Sequence, residues 1–183
     1  DLHPLNKTCS LNGISSELEY RSRKIQINTN LLGEHNLYNL MAGVAACLSI
    51  NINPKIIGNA LQGKLNIPGR MELIPCASPG KVFIDYAHTP DACKKIFTAL
   101  SLLCSINTKI YTVFGCGGDR DHYKRSQIAS IIEECSDYII ITTDNPRNEP
   151  IEKINSDIIS GLSKNNYEII LDRKKAIYTM INR

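Results

Sequence analysis

Beyond residue 68, short β-branched runs alternate with longer helical stretches, and this alternation restricts the possible folds more than any other feature. Residues 82–84 read as a strand and 90 to about 103 as a helix. Residues 109–114, 138–141 and 168–171 read as further strands, each followed by a helix, at 126–135, 151–162 and 173–181. Strands and helices in turn at this spacing imply right-handed crossovers and an α/β fold with a Rossmann-like, mostly parallel sheet. In such a sheet, ligands bind outside the carboxyl ends of the strands.

The first third of the chain has a different texture. Residues 12–32 alternate loosely through Ile14, Leu18, Tyr20, Ile25 and Ile27, which predicts a strand pair. Leu32 to Asn39 opens an apolar helix running through Met41, Val44, Ala45 and Leu48, with Asn36 or Asn39 suited to an N-cap. Asn53-Pro54 starts a short helix reaching about Leu61. The turn Pro68-Gly69-Arg70-Met71-Glu72 is the candidate domain boundary, so residues 1–67 read as the tail of one domain and 68–183 as another.

Composition narrows the function classes. A net charge of +3 with 6% aromatic residues gives neither a basic stripe nor stacking platforms for nucleic acid. No apolar run is long enough to span a bilayer, and no signal-peptide pattern opens the chain. The seven cysteines include no CxxC pair and no zinc-like Cys/His spacing, so most of them read as small buried hydrophobes in a reducing, cytoplasmic setting.

Three predicted strand ends carry unusual chemistry. The first is Asp85-Tyr86-Ala87-His88-Thr89-Pro90, and the second is Gly115-Cys116-Gly117-Gly118-Asp119-Arg120-Asp121 with Lys124 and Arg125 beyond it. The third is Asp144-Asn145-Pro146-Arg147, where Pro146 stops ladder pairing and a carboxylate, an amide and a guanidinium fall within four residues. Arginine grips carboxylate with two parallel bonds and aspartate pairs with ammonium, so an amino acid is a natural ligand there. The glycine loop has neither GxGxxG nor GxxxxGK[ST] spacing, so phosphate cradling is not assigned to it. Arg120 either binds an anion or pairs with Asp119 or Asp121. Asp85 either accepts from ribose hydroxyls or caps the helix that Pro90 opens. His88 reads as an orienting histidine before a general acid or base. Cys116 lacks a partner base. Asp172-Arg173, after the last strand, reads as a helix cap.

Taken in order, five motifs resemble the Mur ligases of peptidoglycan synthesis, and specifically the branch that adds diaminopimelate. They are Gly33-Glu34-His35-Asn36 with Asn39, Pro68 to Glu72, Asp85 to Pro90, Phe114 to Asp121 with Lys124-Arg125, and Asp144 to Arg147. The resemblance implies a three-domain ligase using ATP and Mg2+ to activate the D-glutamate carboxylate of UDP-N-acetylmuramoyl-dipeptide as an acyl phosphate. The amine of meso-diaminopimelate then attacks. By the same resemblance Arg120, Asp144, Asn145, Pro146 and Arg147 bind meso-diaminopimelate, Asn36, Asn39, Arg70, Asp85 and Tyr86 bind ATP, and His88 lies near the phosphates. No metal ligand is implied in this segment. A monomer that touches neither nucleic acid nor membrane is expected.

The family's phosphate loop, magnesium ligands and modified lysine would lie upstream of this segment, and its Gly-Lys-Gly-His-Glu stretch beyond Arg183. The resemblance therefore covers the end of a central ATPase domain and most of a C-terminal domain, which alone should be inactive. Two alternatives are an L-lysine-adding ligase, which needs no arginine at 147, and a non-catalytic remnant of the ligase.

Overall fold

Antiparallel pairing begins earlier than the hydrophobic pattern predicts. The structure, a computed structural model, describes residues 1–183 except 66, 77–79 and 106. Leu2–Ser10 (β1) pairs antiparallel with Gly13–Tyr20 (β2), which pairs with Arg23–Thr29 (β3). The pair expected over residues 12–32 is β2 with β3, and β1 adds a third strand ahead of it. β1 evades the alternation rule because it is a largely exposed edge strand whose register shifts between Pro4 and Asn6. Arg21 and Ser22 both have positive φ (48° and 61°), the conformation of a two-residue hairpin turn that follows strand twist.

The chain divides into two compact units. The first holds Asp1–Ile74, Val82–Tyr86 and Thr98–Leu103. In it Ile14 and Leu18 of β2 and Ile25 and Ile27 of β3 are buried together with Leu37, Val44 and Leu48 of Glu34–Ser49 (α1) and Ile57 of Pro54–Ala60 (α2). Each such side chain contributes about 1.5–3 kcal/mol by leaving water. Asn53 caps α2 as expected, its side chain accepting from Lys55 N at 2.9 Å. Gln62–Gly63 (β4) then adds parallel to β3.

Glu72–Ile74 (β5) and Val82–Ile84 (β6) form an antiparallel pair within the same unit. This corrects the expectation that 82–84 is the first strand of the parallel sheet. Only seven residues separate the two strands, enough for a hairpin, whereas a parallel crossover takes a dozen or more. Ile84 is also exposed, unlike a strand covered on both faces.

The second unit holds Pro75–Lys81, Ala87–Phe97 and Cys104–Arg183. Tyr111–Phe114 (β7), Tyr138–Ile141 (β8) and Tyr167–Ile169 (β9) form a parallel sheet in the order β7-β8-β9. β8 is central, and Ile139, Ile140 and Ile141 are fully buried, as the continuous apolar run predicts. Tyr123–Cys135 (α4) and Ile151–Ile159 (α5) connect the strands, and Arg173–Ile181 (α6) follows β9. Asp172 caps α6 by accepting from Lys175 N at 2.9 Å. Pro90–Leu103 (α3) runs from the second unit into the first. No helix is long and apolar enough to cross a membrane among the described residues.

Candidate functional site

Because β7 and β8 are parallel neighbours, the loops that leave them emerge side by side at one sheet edge. The loop after β7 carries the glycines and Arg120; the loop after β8 carries Asp144 to Arg147. Gly118 N donates to Asn145 O at 2.9 Å, and the Arg147 guanidinium donates through Nη1 to Gly118 O. A methyl group on Gly118 would lie 1.8 Å from Pro146 O, so only glycine permits this approach. The position of a Cβ on Gly117 is 3.0 Å from Arg147 Nη1 and 3.9 Å from Arg120 Cγ, which brings both arginines close to one backbone site. Both are exposed, and Arg120 makes no salt bridge with Asp119 or Asp121 among the described residues. Asn145 Oδ1 accepts from Arg147 N at 3.3 Å, the local turn that its residue type favours. Cys116, Thr142, Thr143, Asp144, Pro146 and Asn155 line a shallow concavity beside it.

Burial pushes the Cys116 thiol up to about 11, and the charge of Arg125 pulls it down by less. The sulfur therefore stays protonated at neutral pH and is no nucleophile.

In the first unit a second group of predicted residues meets around the 67–72 turn. Asp85 Oδ2 accepts from Met71 N at 2.7 Å, and the first turn of α3 is capped by Thr89, whose Oγ1 accepts from Ala92 N at 3.2 Å. Tyr86 N donates to Gly69 O at 3.0 Å, and its ring lies against Gly69, where a methyl group would come within 2.2 Å. Gly69 has φ 68°, which favours glycine independently of that ring. Asn36 and Asn39 lie inside α1 rather than at its N-cap, a position taken by Gly33. Asn36 is buried, donating to Leu32 O at 2.7 Å, and accepts from Asn39 Nδ2 at 3.2 Å.

Against known proteins, residues 69–183 match the family model described as Mur ligase, glutamate ligase domain. The chain belongs to the Mur ligase family. It is 39% identical over 183 residues to the UDP-N-acetylmuramoyl-L-alanyl-D-glutamate–2,6-diaminopimelate ligase of Aquifex aeolicus, covering 100% of this chain and 37% of that protein. A solved structure of a ligase of that name is 30% identical with a TM-score of 0.60, over 98% of this chain and 37% of the other. The Mycobacterium tuberculosis folylpolyglutamate synthase complexed with ADP and AMPPCP is 19% identical with a TM-score of 0.80, over 99% and 40%, a likeness of fold. The chain thus spans about a third of the length of the curated relatives it matches.

Within this Mur ligase domain the parallel sheet brings Arg120 together with Asp144, Asn145, Pro146 and Arg147. Asp85 and Tyr86 fold with Arg70 in the first unit instead, while His88 belongs to the second. The expectation that three loaded loops share one sheet edge therefore holds for two of them.

Sequence reasoning named Arg125 only as part of the glycine-loop motif and missed its role as a buried charge. It is 2% exposed, with its Nη2 2.6 Å from Glu149 Oε2 and its Nη1 2.8 Å from both Glu149 Oε1 and Asp157 Oδ2. Nη2 also donates to Gly117 O at 3.0 Å. The signal was its phase: Arg125, Ile128, Ala129, Ile132 and Glu133 share the buried face of α4. A charge on an apolar face requires a partner. At the other end of α4, burial works to raise the Glu133 pKa, but donors from Ser163 and Lys164 outweigh it and hold it low. His122, Glu149 and Asp157 have spacing suited to a metal, yet the Arg125 guanidinium already occupies the cationic position among them.

The Glu149 carboxylate sits at about 2, below its ordinary 4.5, because Arg125 donates to it; burial opposes this and Asp119 N assists. A depressed carboxylate stabilises the fold above its unfolded pKa and loses that contribution as pH falls through the folded value. Urea midpoints should therefore show no loss from this group above pH 4.5 and a decline from there toward pH 2. Glu149→Gln should remove much of that slope, and an unchanged slope would show that other carboxylates govern it.

Proposed function

We propose that this chain is part of the ligase that joins meso-diaminopimelate to UDP-N-acetylmuramoyl-L-alanyl-D-glutamate in peptidoglycan synthesis. The observation that carries the reading is that Arg120 and Arg147 both approach Gly117, with Asp144 in the loop after the adjacent strand. The likeness to relatives of that name supports it. Residues 1–67 are assigned to the end of the ATP-binding domain and 68–183 to the amino-acid-binding domain.

The contact with Gly118 O uses one of the five N–H groups of Arg147. The Nε–Nη2 edge can still donate two parallel bonds to a carboxylate, and Asp144 can pair with the neighbouring ammonium. Asn145 and Pro146 fix the turn that presents them. Diaminopimelate has a distal carboxylate and ammonium together, whereas lysine has the ammonium alone.

ATP supplies the phosphoryl group that activates the D-glutamate carboxylate, so that the diaminopimelate amine forms the amide and releases ADP and phosphate. The residues of the first unit fit a nucleotide. Asn36 is committed to the backbone and holds Asn39, whose exposed amide retains the donor and acceptor that an adenine edge needs. Arg70 and the 66%-exposed Tyr86 ring add a cation and an aromatic face, with Asp85 bracing the turn. No Mg2+ ligand is assigned to this chain, since Arg125 fills the metal-like cluster among the described residues. The same reading places the protein in the cytoplasm, and among the described residues no cysteine forms a disulfide.

The test is ADP release by the full-length gene product with the UDP-N-acetylmuramoyl-dipeptide. Release should require meso-diaminopimelate, and L-lysine should be poorer by at least about a hundredfold, because the site's guanidinium is then left unpaired. Equal rates with lysine would favour the lysine-adding alternative; no release with either would favour the remnant.

A further inference from the structure

We propose that Glu149 and Arg125 are positioning residues of the amino-acid site, holding the glycine loop and the Asp144-to-Arg147 loop in register without touching the ligand. The inference rests on the amino-acid-site reading above. Each loop contains one non-glycine residue in the left-handed region, Asp119 and Arg147, both with φ 51°. L side chains rarely adopt that conformation, and it persists where the surroundings over-determine it.

The surroundings here form a reciprocal clasp. Glu149 Oε2 accepts from Asp119 N at 3.0 Å, while Asp119 Oδ2 accepts from Asn148 N at 3.2 Å and Asn148 Nδ2 at 3.3 Å. Each loop thus caps the strained backbone of the other. Arg125 locks the clasp from beneath, forking onto Glu149 and binding Gly117 O. Glu149 lies only two residues beyond Arg147, so its displacement carries the Arg147 backbone with it. A misplacement of about 1 Å in a binding constellation can cost about a hundredfold.

Asp157 provides the comparison. It contacts Arg125 and His122, at the start of α4, but among the described residues neither Asp119 nor the Asp144-to-Asn148 segment, so losing it weakens the buried network while sparing the clasp. In the full-length protein, assayed well below Tm, Glu149→Gln should raise the KM for meso-diaminopimelate about tenfold or more and leave the KM for ATP within about twofold. Asp157→Asn should lower Tm yet shift the diaminopimelate KM by less than about twofold. In an Arg147→Ala background Glu149→Gln should add little, because both act through one guanidinium.

If Glu149→Gln is recovered only as aggregate, Asp119→Ala reads the same clasp from an exposed residue and should raise the same KM. An unchanged diaminopimelate KM in a folded clasp variant overturns the proposal. Equal KM increases in Glu149→Gln and Asp157→Asn, or fully multiplicative effects with Arg147→Ala, also overturn it. If Arg147→Ala alone leaves the diaminopimelate KM unchanged, the reading of the site itself fails and this proposal fails with it.

Discussion

Arg147→Ala is expected to reduce kcat/KM for meso-diaminopimelate by roughly 30- to 900-fold, the equivalent of about 2–4 kcal/mol for a desolvated charge-assisted carboxylate contact. The side chain leaves an exposed turn, and its acceptor among the described residues is a backbone carbonyl, Gly118 O. Removing it therefore leaves no buried charge unpaired in the free protein, and the thermal midpoint should move little. The loss should appear mainly in the diaminopimelate KM, with the KM for ATP unchanged. Arg147→Lys should recover only part of it, since an ammonium cannot form the two-bond fork. Steady-state ADP release with each substrate varied in turn measures both effects. A variant with normal diaminopimelate kinetics would remove Arg147 from the site.

Gly118→Ala should have the second large effect, on stability as well as on binding. The added methyl would lie 1.8 Å from Pro146 O and 2.5 Å from Pro146 C, both backbone atoms that no rotamer change can move aside. The two loops must part, losing the Gly118 N to Asn145 O bond and the guanidinium contact. The destabilisation should reach or exceed the about 1–3 kcal/mol typical of overpacking, and diaminopimelate binding should fall with it. Gly43→Ala is the control. There the methyl meets nothing within 4 Å, and the change should stabilise α1 by about 0.5–1 kcal/mol. Urea unfolding of the two variants checks both signs, and equal midpoints would show that the loops yield without cost.

Much of the second unit was legible because strands and helices alternate at regular spacing there and its central strand, β8, is a short apolar run with Ile139, Ile140 and Ile141 fully buried. β8 and α6 fall at 138–141 and 173–181 as read. The first unit was less legible for identifiable reasons. β1 exposes most of its side chains and has Pro4, so nothing in its pattern distinguished it from a loop. β6 was recognised as a strand, but its partner could not be read from its own three residues, and the nearby β5 took it into a hairpin. The candidate site was legible where chemistry is concentrated in consecutive residues, as in Asp144 to Arg147. The network beneath it was not, because Arg125, Glu149 and Asp157 are dispersed along the chain and only the fold makes them neighbours. Charge within an apolar helical phase was the available clue.

The left-handed backbone at Arg147 separates what favours the fold from what favours recognition. Glycine would adopt φ 51° freely, so on conformational grounds it suits that position better than any side-chain-bearing residue. It would also remove the guanidinium. Directed evolution guided by thermal tolerance alone would therefore be drawn toward erasing the residue proposed to discriminate between ligands, and libraries built on this domain should hold position 147 fixed.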